Sequence, residues 1–125
     1  MPSVRVTQEA AETIVEPSSQ EARVTQEVLE TFGAVSAETA LEMAQGARHL
    51  FGADVALSVT GIAGPTGGTE EKPVGLVYIH LSAADVDCGE RWNWSGSREQ
   101  NKSQSAEAVL RLLLRYLTTE FDSTL

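Results

Sequence analysis

The spacing of apolar positions changes along the chain, and each change marks an element. Residues 1–22 are rich in Glu, Ser, Thr and Gln, with few large apolar residues and a break at Pro17-Ser18-Ser19. Such a segment buries too little surface to offset its ordering entropy, so it predicts a weakly anchored arm with a helical turn or two at most. Glu27 to Thr31 reads as a short helix closed by Gly33, a residue suited to the left-handed C-cap. Ser36 is a good N-cap, with Glu38 near the positive helix end, for a helix running to about Leu50. Ala37, Ala40, Leu41, Ala44 and Ala47 fall on one face of it. Val55 to Val59 reads as a strand. Gly75 to Leu81 is apolar almost throughout, which predicts a strand covered on both faces, as in a layered α/β domain. Ser82 to Asp87 is a turn, and Cys88 to Trp94 a third strand, antiparallel to the second because the connection is short. Ser97 and Gln100 form a capping box for a helix over 98–118. Ala106, Leu110, Leu113 and Leu117, widened by Val109 and Leu114, supply its predicted core stripe.

The organisation expected is an arm (1–22), one domain (23–119) and a frayed tail (120–125). At 125 residues there is room for a single core. Arg5-Val6-Thr7-Gln8-Glu9 recurs as Arg23-Val24-Thr25-Gln26-Glu27. Two copies do not make a solenoid, and the echo reads as a local duplication or chance.

Composition narrows the function. The formal net charge of -9 argues against general nucleic-acid binding, which draws on Lys and Arg. The single cysteine, Cys88, permits no intrachain disulfide and no Cys-rich zinc site. No apolar run reaches the roughly 18 residues of a membrane span, and residues 1–17 lack a signal-peptide layout. The expectation is a cytoplasmic protein with neither membrane nor nucleic-acid partner, and with no metal or cofactor.

The densest chemical signal is the stretch from Thr60 to Thr69, Thr-Gly-Ile-Ala-Gly-Pro-Thr-Gly-Gly-Thr, directly after the first confident strand. Gly61, Gly64, Gly67 and Gly68 let the backbone turn sharply and present N–H groups, which suits a phosphate or a carbonyl oxygen. The plainer reading is a tight structural turn. Lys72 precedes Pro73 and is expected to shape or cover this loop. His49 and His80 lie in no cluster with metal-ligand spacing. Trp92 and Trp94 alternate along the third strand and read as an apolar face or an interface. Cys88 has no visible activating neighbour.

Four blocks in order carry a family resemblance: Gly33-Ala34-Val35-Ser36, Thr60-Gly61-Ile62-Ala63-Gly64-Pro65, Lys72-Pro73-Val74-Gly75, and Ser95-Gly96-Ser97-Arg98 leading to Lys102. They closely resemble the C-terminal domain of the competence/damage-inducible CinA family, over about Val24 to Leu117. The resemblance implies a three-layer α/β/α domain. It implies nicotinamide-nucleotide amidohydrolase activity, in which the carboxamide of nicotinamide mononucleotide is cleaved to carboxylate and ammonia. It further implies that Thr60, Gly61, Ala63 and Gly64 line the substrate pocket and that Arg98 lies where a nucleotide phosphate binds. Lys102 stands where relatives often carry arginine.

The chain departs from that pattern in its chemistry. The family's nucleophilic serine sits in a Ser-Cys-Thr-Gly-Gly-like turn, supported by a Tyr and a Lys five residues apart, shortly before the Gly-Ala-Val-Ser block. Upstream of Gly33 there is no such turn, no tyrosine and no lysine. Thr13 and Ser18 stand near the places of the Tyr and Lys, and neither replaces them chemically; Ser18 or Ser19 as nucleophile would lack a base. The expectation is therefore an N-terminally incomplete domain, without catalytic residues of its own. Its sheet would be exposed where a strand is missing, so it would self-associate or pair with a chain supplying the other half. The alternative is a non-catalytic nucleotide-binding or interaction subunit.

Overall fold

The computed structural model describes residues 4–6 and 24–118. The element order is β1 (Val4–Val6), α1 (Gln26–Phe32), α2 (Ala37–Phe51), β2 (Val55–Gly61), β3 (Leu76–Ala83), β4 (Asp87–Asn93) and α3 (Arg98–Leu117). The strands form one sheet in the order β1-β2-β3-β4. Strands β2, β3 and β4 are successive antiparallel neighbours, as a short hairpin connection between β3 and β4 requires. β1 runs parallel to β2, with Val4 opposite Val55 and Val6 opposite Leu57.

Alternation along β2 and β3 divides the core between two faces. Val55, Leu57, Val77, Ile79 and Leu81 pack against Ala108, Val109, Leu112 and Leu113 of α3. Ala56 faces the other way, onto Met43 and Ala47 of α2, with Val24 closing the cluster. A sheet with helices on both faces is the α/β/α layering expected, and β3 is buried at every position but Tyr78. Full burial of each leucine or isoleucine contributes about 1.5–3 kcal/mol. On the α2 side alanines bring helix and sheet close enough for a direct bond: Ser58 Oγ donates to the Ala40 carbonyl at 2.6 Å.

Local signals fixed most helix ends. Thr25, Ser36 and Ser97 each accept from a backbone N–H at the start of α1, α2 and α3, and Ser97 with Gln100 completes the capping box. Gly33 closes α1 as expected, but with φ 83 and ψ 171, a positive-φ shape open to glycine rather than the left-handed cap expected. Thr25 N–H also donates to Glu42 Oε1 at 2.8 Å, tying α1 to α2.

Two predicted faces differ from those observed. On α2, Thr39, Ala40, Met43, Ala44 and Ala47 are buried, whereas Ala37 is exposed and Leu41 half-buried. On α3 the buried positions are Asn101, Ser105, Ala108, Val109, Leu112 and Leu113. Leu110, Leu114 and Leu117 of the predicted stripe are 48%, 60% and 49% exposed. The cause is polar: Asn101 and Ser105 bond the loops beneath the helix and so choose which face turns inward. Periodicity that counts only apolar residues reads the helix about a third of a turn out of phase.

The predicted turn over Ser82 to Asp87 is shorter than expected, since Ser82 and Ala83 belong to β3 and Asp87 opens β4. The arm was expected to be weakly anchored, with a helical turn or two; Val4–Val6 of it forms a strand. It pairs along Val55–Leu57, so part of the β2 edge predicted to be bare is covered. The rest of the arm and the tail lie outside the described residues.

Candidate functional site

The glycine-rich loop leaves the end of β2 and returns to the start of β3, held at both ends and from both sides. At its base Ile62 N–H donates to the Leu76 carbonyl at 2.9 Å, and Gly75 N–H donates to Ile62 O at 2.6 Å. Its tip is folded on itself: Thr69 N–H donates to Lys72 O at 2.8 Å, and Lys72 N–H to Thr69 Oγ1 at 3.0 Å. Gly64 and Gly67 take φ of 93 and 95, and the Gly64-Pro65 peptide is cis. A Cβ at Gly68 would lie 2.5 Å from the backbone nitrogen of Val74, so the two limbs of the loop pack backbone to backbone.

From one side the α1–α2 junction grips the loop. Thr60 Oγ1 donates to the Ala34 carbonyl at 2.7 Å. Lys72 Nζ donates to the Phe32 carbonyl at 2.5 Å, at the C-terminal end of α1 where a cation is favoured. Lys72 thus shapes the loop, as expected, by tying it to α1.

From the other side comes the start of α3. Arg98 Nη1 donates to Gly64 O at 3.1 Å. Asn101, only 1% exposed, donates from Nδ2 to Ala63 O at 3.0 Å and accepts at Oδ1 from Gly96 N–H at 3.0 Å. Thr60, Ala63, Gly64 and Arg98 are therefore brought together, and Gly61 closes β2 with its Cα hydrogens against Val77 and Leu76 O. The amides of Ala63, Gly64, Thr66, Gly67 and Gly68 have no acceptor among the described residues, and neither do the remaining Arg98 donors. This edge offers neutral and cationic donors on a fixed frame, which suits an anionic or carbonyl oxygen.

Asn101 is the residue the sequence reading missed. A signal existed: Asn101, Ser105, Ala108 and Leu112 share helical spacing just after the capping box, and an asparagine in a buried phase needs partners. Lys102, next to it, is exposed, with no side-chain partner among the described residues.

Other candidates lie elsewhere. His80 Nε2 is 2.9 Å from Asp87 Oδ1, and His49 Nδ1 lies 2.8 Å from Gln45 O; among the described residues no cluster could hold a metal. Trp92 and Trp94 stack with ring centroids 4.9 Å apart and 9° between planes, and Trp94 Nε1 donates to Ser105 Oγ. Grooves of about 390 and 430 Å³ run along β4, one on each face of the sheet, and no residue of the glycine-rich loop lines either.

Cys88 is half-buried. Burial, and then the Glu90 carboxylate, push its thiol above the ordinary value, while Arg115 pulls the other way. The fold favours the neutral thiol, so its contribution is present at neutral pH and is lost as pH rises through the thiol range. At mildly alkaline pH the folded chain is expected to react with a thiol reagent more slowly than the urea-unfolded chain; equal rates would contradict this environment.

A three-layer α/β/α domain with a glycine-rich strand-end loop clamped between two helix termini is the class defined by these observations. The family model of the CinA C-terminal domain matches residues 18–117, and the chain belongs to this family. It is 55% identical over 91 residues to a CinA-like protein of Citrifermentans bemidjiense, covering 70% of this chain and 21% of that protein. It is 50% identical over 94 residues to a CinA-like protein of Syntrophomonas wolfei, covering 75% of this chain and 23% of that protein. Among solved structures, a competence/damage inducible protein of Agrobacterium tumefaciens matches at TM-score 0.71 and 35% identity, over 85% of this chain and 61% of that one. A CinA superfamily protein of Klebsiella pneumoniae matches at TM-score 0.75 and 28% identity, over 89% and 65%. The chain thus spans under a quarter of the curated relatives' length. No helix among the described residues is long and apolar enough to cross a membrane.

Proposed function

We propose that this chain binds nicotinamide mononucleotide, or a closely related nucleotide, at the Thr60–Gly68 loop, and does not hydrolyse it unaided. The reading rests on the family's activity, nicotinamide-nucleotide amidohydrolysis in the cytoplasm, carried to this chain by resemblance. The observation that carries it is Arg98: it sits at the start of α3 and holds Gly64 O of the loop through Nη1, and its other donors have no acceptor among the described residues. A guanidinium at a helix start is favourable for a phosphate and unfavourable for itself alone.

The chemistry of the remaining groups supports binding without turnover. A serine hydroxyl needs a neighbouring base before it attacks a carboxamide. Lys72 is committed to the Phe32 carbonyl, Tyr116 donates to Asp85 Oδ1 at 2.9 Å, and Tyr78 faces the α2 side of the sheet. Ser58, Ser82 and Ser105 are buried. Ser18 and Ser19 lie outside the described residues.

Calorimetric titration with nicotinamide mononucleotide tests this reading. Binding by the native chain that weakens about tenfold or more in Arg98→Ala is expected, the loss of a charge-assisted phosphate contact. Equal affinity in the two proteins, or no heat of binding, would refute the assigned role. A second reading, an interaction subunit that pairs with another chain, is favoured by the exposed Leu110, Leu114 and Leu117 on α3.

A further inference from the structure

The outer edge of β4 is unpaired among the described residues, since β4 ends the sheet. Trp94 N–H donates to Gly75 O, and antiparallel ladders alternate. It follows from the register that Asp87, Gly89, Arg91 and Asn93 turn their N–H and C=O groups outward. Asp87, Gly89 and Arg91 pair with Ser82, His80 and Tyr78, so their Cβ directions are toward the α2 face. An acid and a base thus flank a glycine on a free edge of 7 residues.

We propose that β4 pairs antiparallel with β4 of a second copy, about a two-fold axis through Gly89, joining the two sheets into one. The register follows from charge. Such an axis, normal to the sheet, must pass through a residue, because residues that pair share a face. Centred on Glu90 it sets Glu90 against the partner's Glu90; centred on Arg91 it sets two arginines together. Centred on Gly89 it sets Arg91 against the partner's Asp87, and by symmetry Asp87 against the partner's Arg91. Opposite charges facing across strands stabilise the pairing, and like charges oppose it. The Gly89 register also makes these same residues the hydrogen-bonded pairs, with no side chain at the centre to hold the backbones apart.

Two further observations fit. Arg91 has no side-chain partner among the described residues. Asp87 gives Oδ1 to His80 and lies 3.4 Å from Gln45 Nε2 through Oδ2, which leaves acceptor capacity for a guanidinium. An open strand edge of this length is otherwise a template for unspecific pairing. The proposal is independent of the nucleotide reading.

Sedimentation equilibrium of the full chain tests it. The native chain is expected to be a dimer at micromolar concentration. Arg91→Asp, which turns both attractive pairs repulsive, is expected to weaken the dimer about tenfold or more, whereas Arg91→Lys leaves it intact. Gly89→Pro removes an N–H that points outward, so it spares the ladder to β3 and is expected to give a monomer. Circular dichroism confirms that each variant is folded, and Arg91→Asp decides alone if Gly89→Pro is not. A monomeric native chain, or a dimer that Arg91→Asp does not weaken, would overturn the proposal.

Discussion

Gly75→Ala is expected to destabilise the fold by roughly 4 kcal/mol or more, enough to leave little folded protein. Gly75 holds φ 94, where a side chain is strained. Its position is also closed: an added Cβ would lie 1.8 Å from the Trp94 carbonyl oxygen and 2.9 Å from the carbonyl carbon. Those atoms are backbone, so no rotamer change relieves the clash. Gly75 joins the glycine-rich loop to β4 as well, donating to Ile62 O and accepting from Trp94 N–H. Gly52→Ala is the control. Gly52 has φ 60 but, among the described residues, nothing within 4 Å of an added Cβ. Only the left-handed conformation is penalised there, about 1–2 kcal/mol. Urea unfolding, or soluble yield where Gly75→Ala does not fold, separates the two. A Gly75→Ala chain as stable as the Gly52→Ala chain would contradict the packing described.

Asn101→Ala is the second large effect, about 1–3 kcal/mol by urea unfolding for two part-buried bonds. The substitution leaves the Ala63 carbonyl and the Gly96 N–H without their side-chain partner in a site that Asn101 itself nearly closes. Both bonds are part-buried, so each contributes about 0.5–1.5 kcal/mol, water taking up some of the freed groups. Asn101→Asp keeps an acceptor for Gly96 but sets a carboxylate oxygen against the Ala63 carbonyl at a position 1% exposed, so it is expected to destabilise at least as much as alanine. The loop also loses one of its two ties to α3, so nucleotide affinity is expected to fall in Asn101→Ala without any loss of a ligand contact. A loss below about 1 kcal/mol would mean that the loop is held by Arg98 and the α1 junction alone.

What could be read from the sequence tracks the range of the forces involved. Caps are local, and Thr25 aside they stood out: Ser36, the Ser97–Gln100 box and Gly33 act within a few residues of themselves. The double burial of β3 was legible for a similar reason, since an uninterrupted apolar run has no polar face to leave in water. The phase of α3 was not. Its inward face is chosen by Asn101 and Ser105, whose partners Ala63, Gly96 and Trp94 are set by how the loop and β4 arrive. Strand β1 was hidden for a related reason: Val4–Val6 has an ordinary composition and becomes a strand by pairing with β2, far along the chain.

The candidate site divides the same way. The glycines of the loop were visible as a cluster because few other roles need so many. The blocks at 33–36, 60–65, 72–75 and 95–98 proved to be one assembly, with Thr60 on Ala34, Lys72 on Phe32 and Arg98 on Gly64. That Arg98 grips the loop through one nitrogen, with no acceptor for the others among the described residues, is a matter of distance, which residue order does not encode.

The most direct test of nucleotide binding without hydrolysis is a single magnetic-resonance measurement on nicotinamide mononucleotide incubated with the folded chain. The phosphorus line reports whether the nucleotide is held, and the pyridine ring protons report whether the carboxamide has become a carboxylate. The expected result is a broadened phosphorus line with unchanged ring signals. Ring signals converting to those of the carboxylate nucleotide, or a phosphorus line as sharp as in buffer, would contradict it.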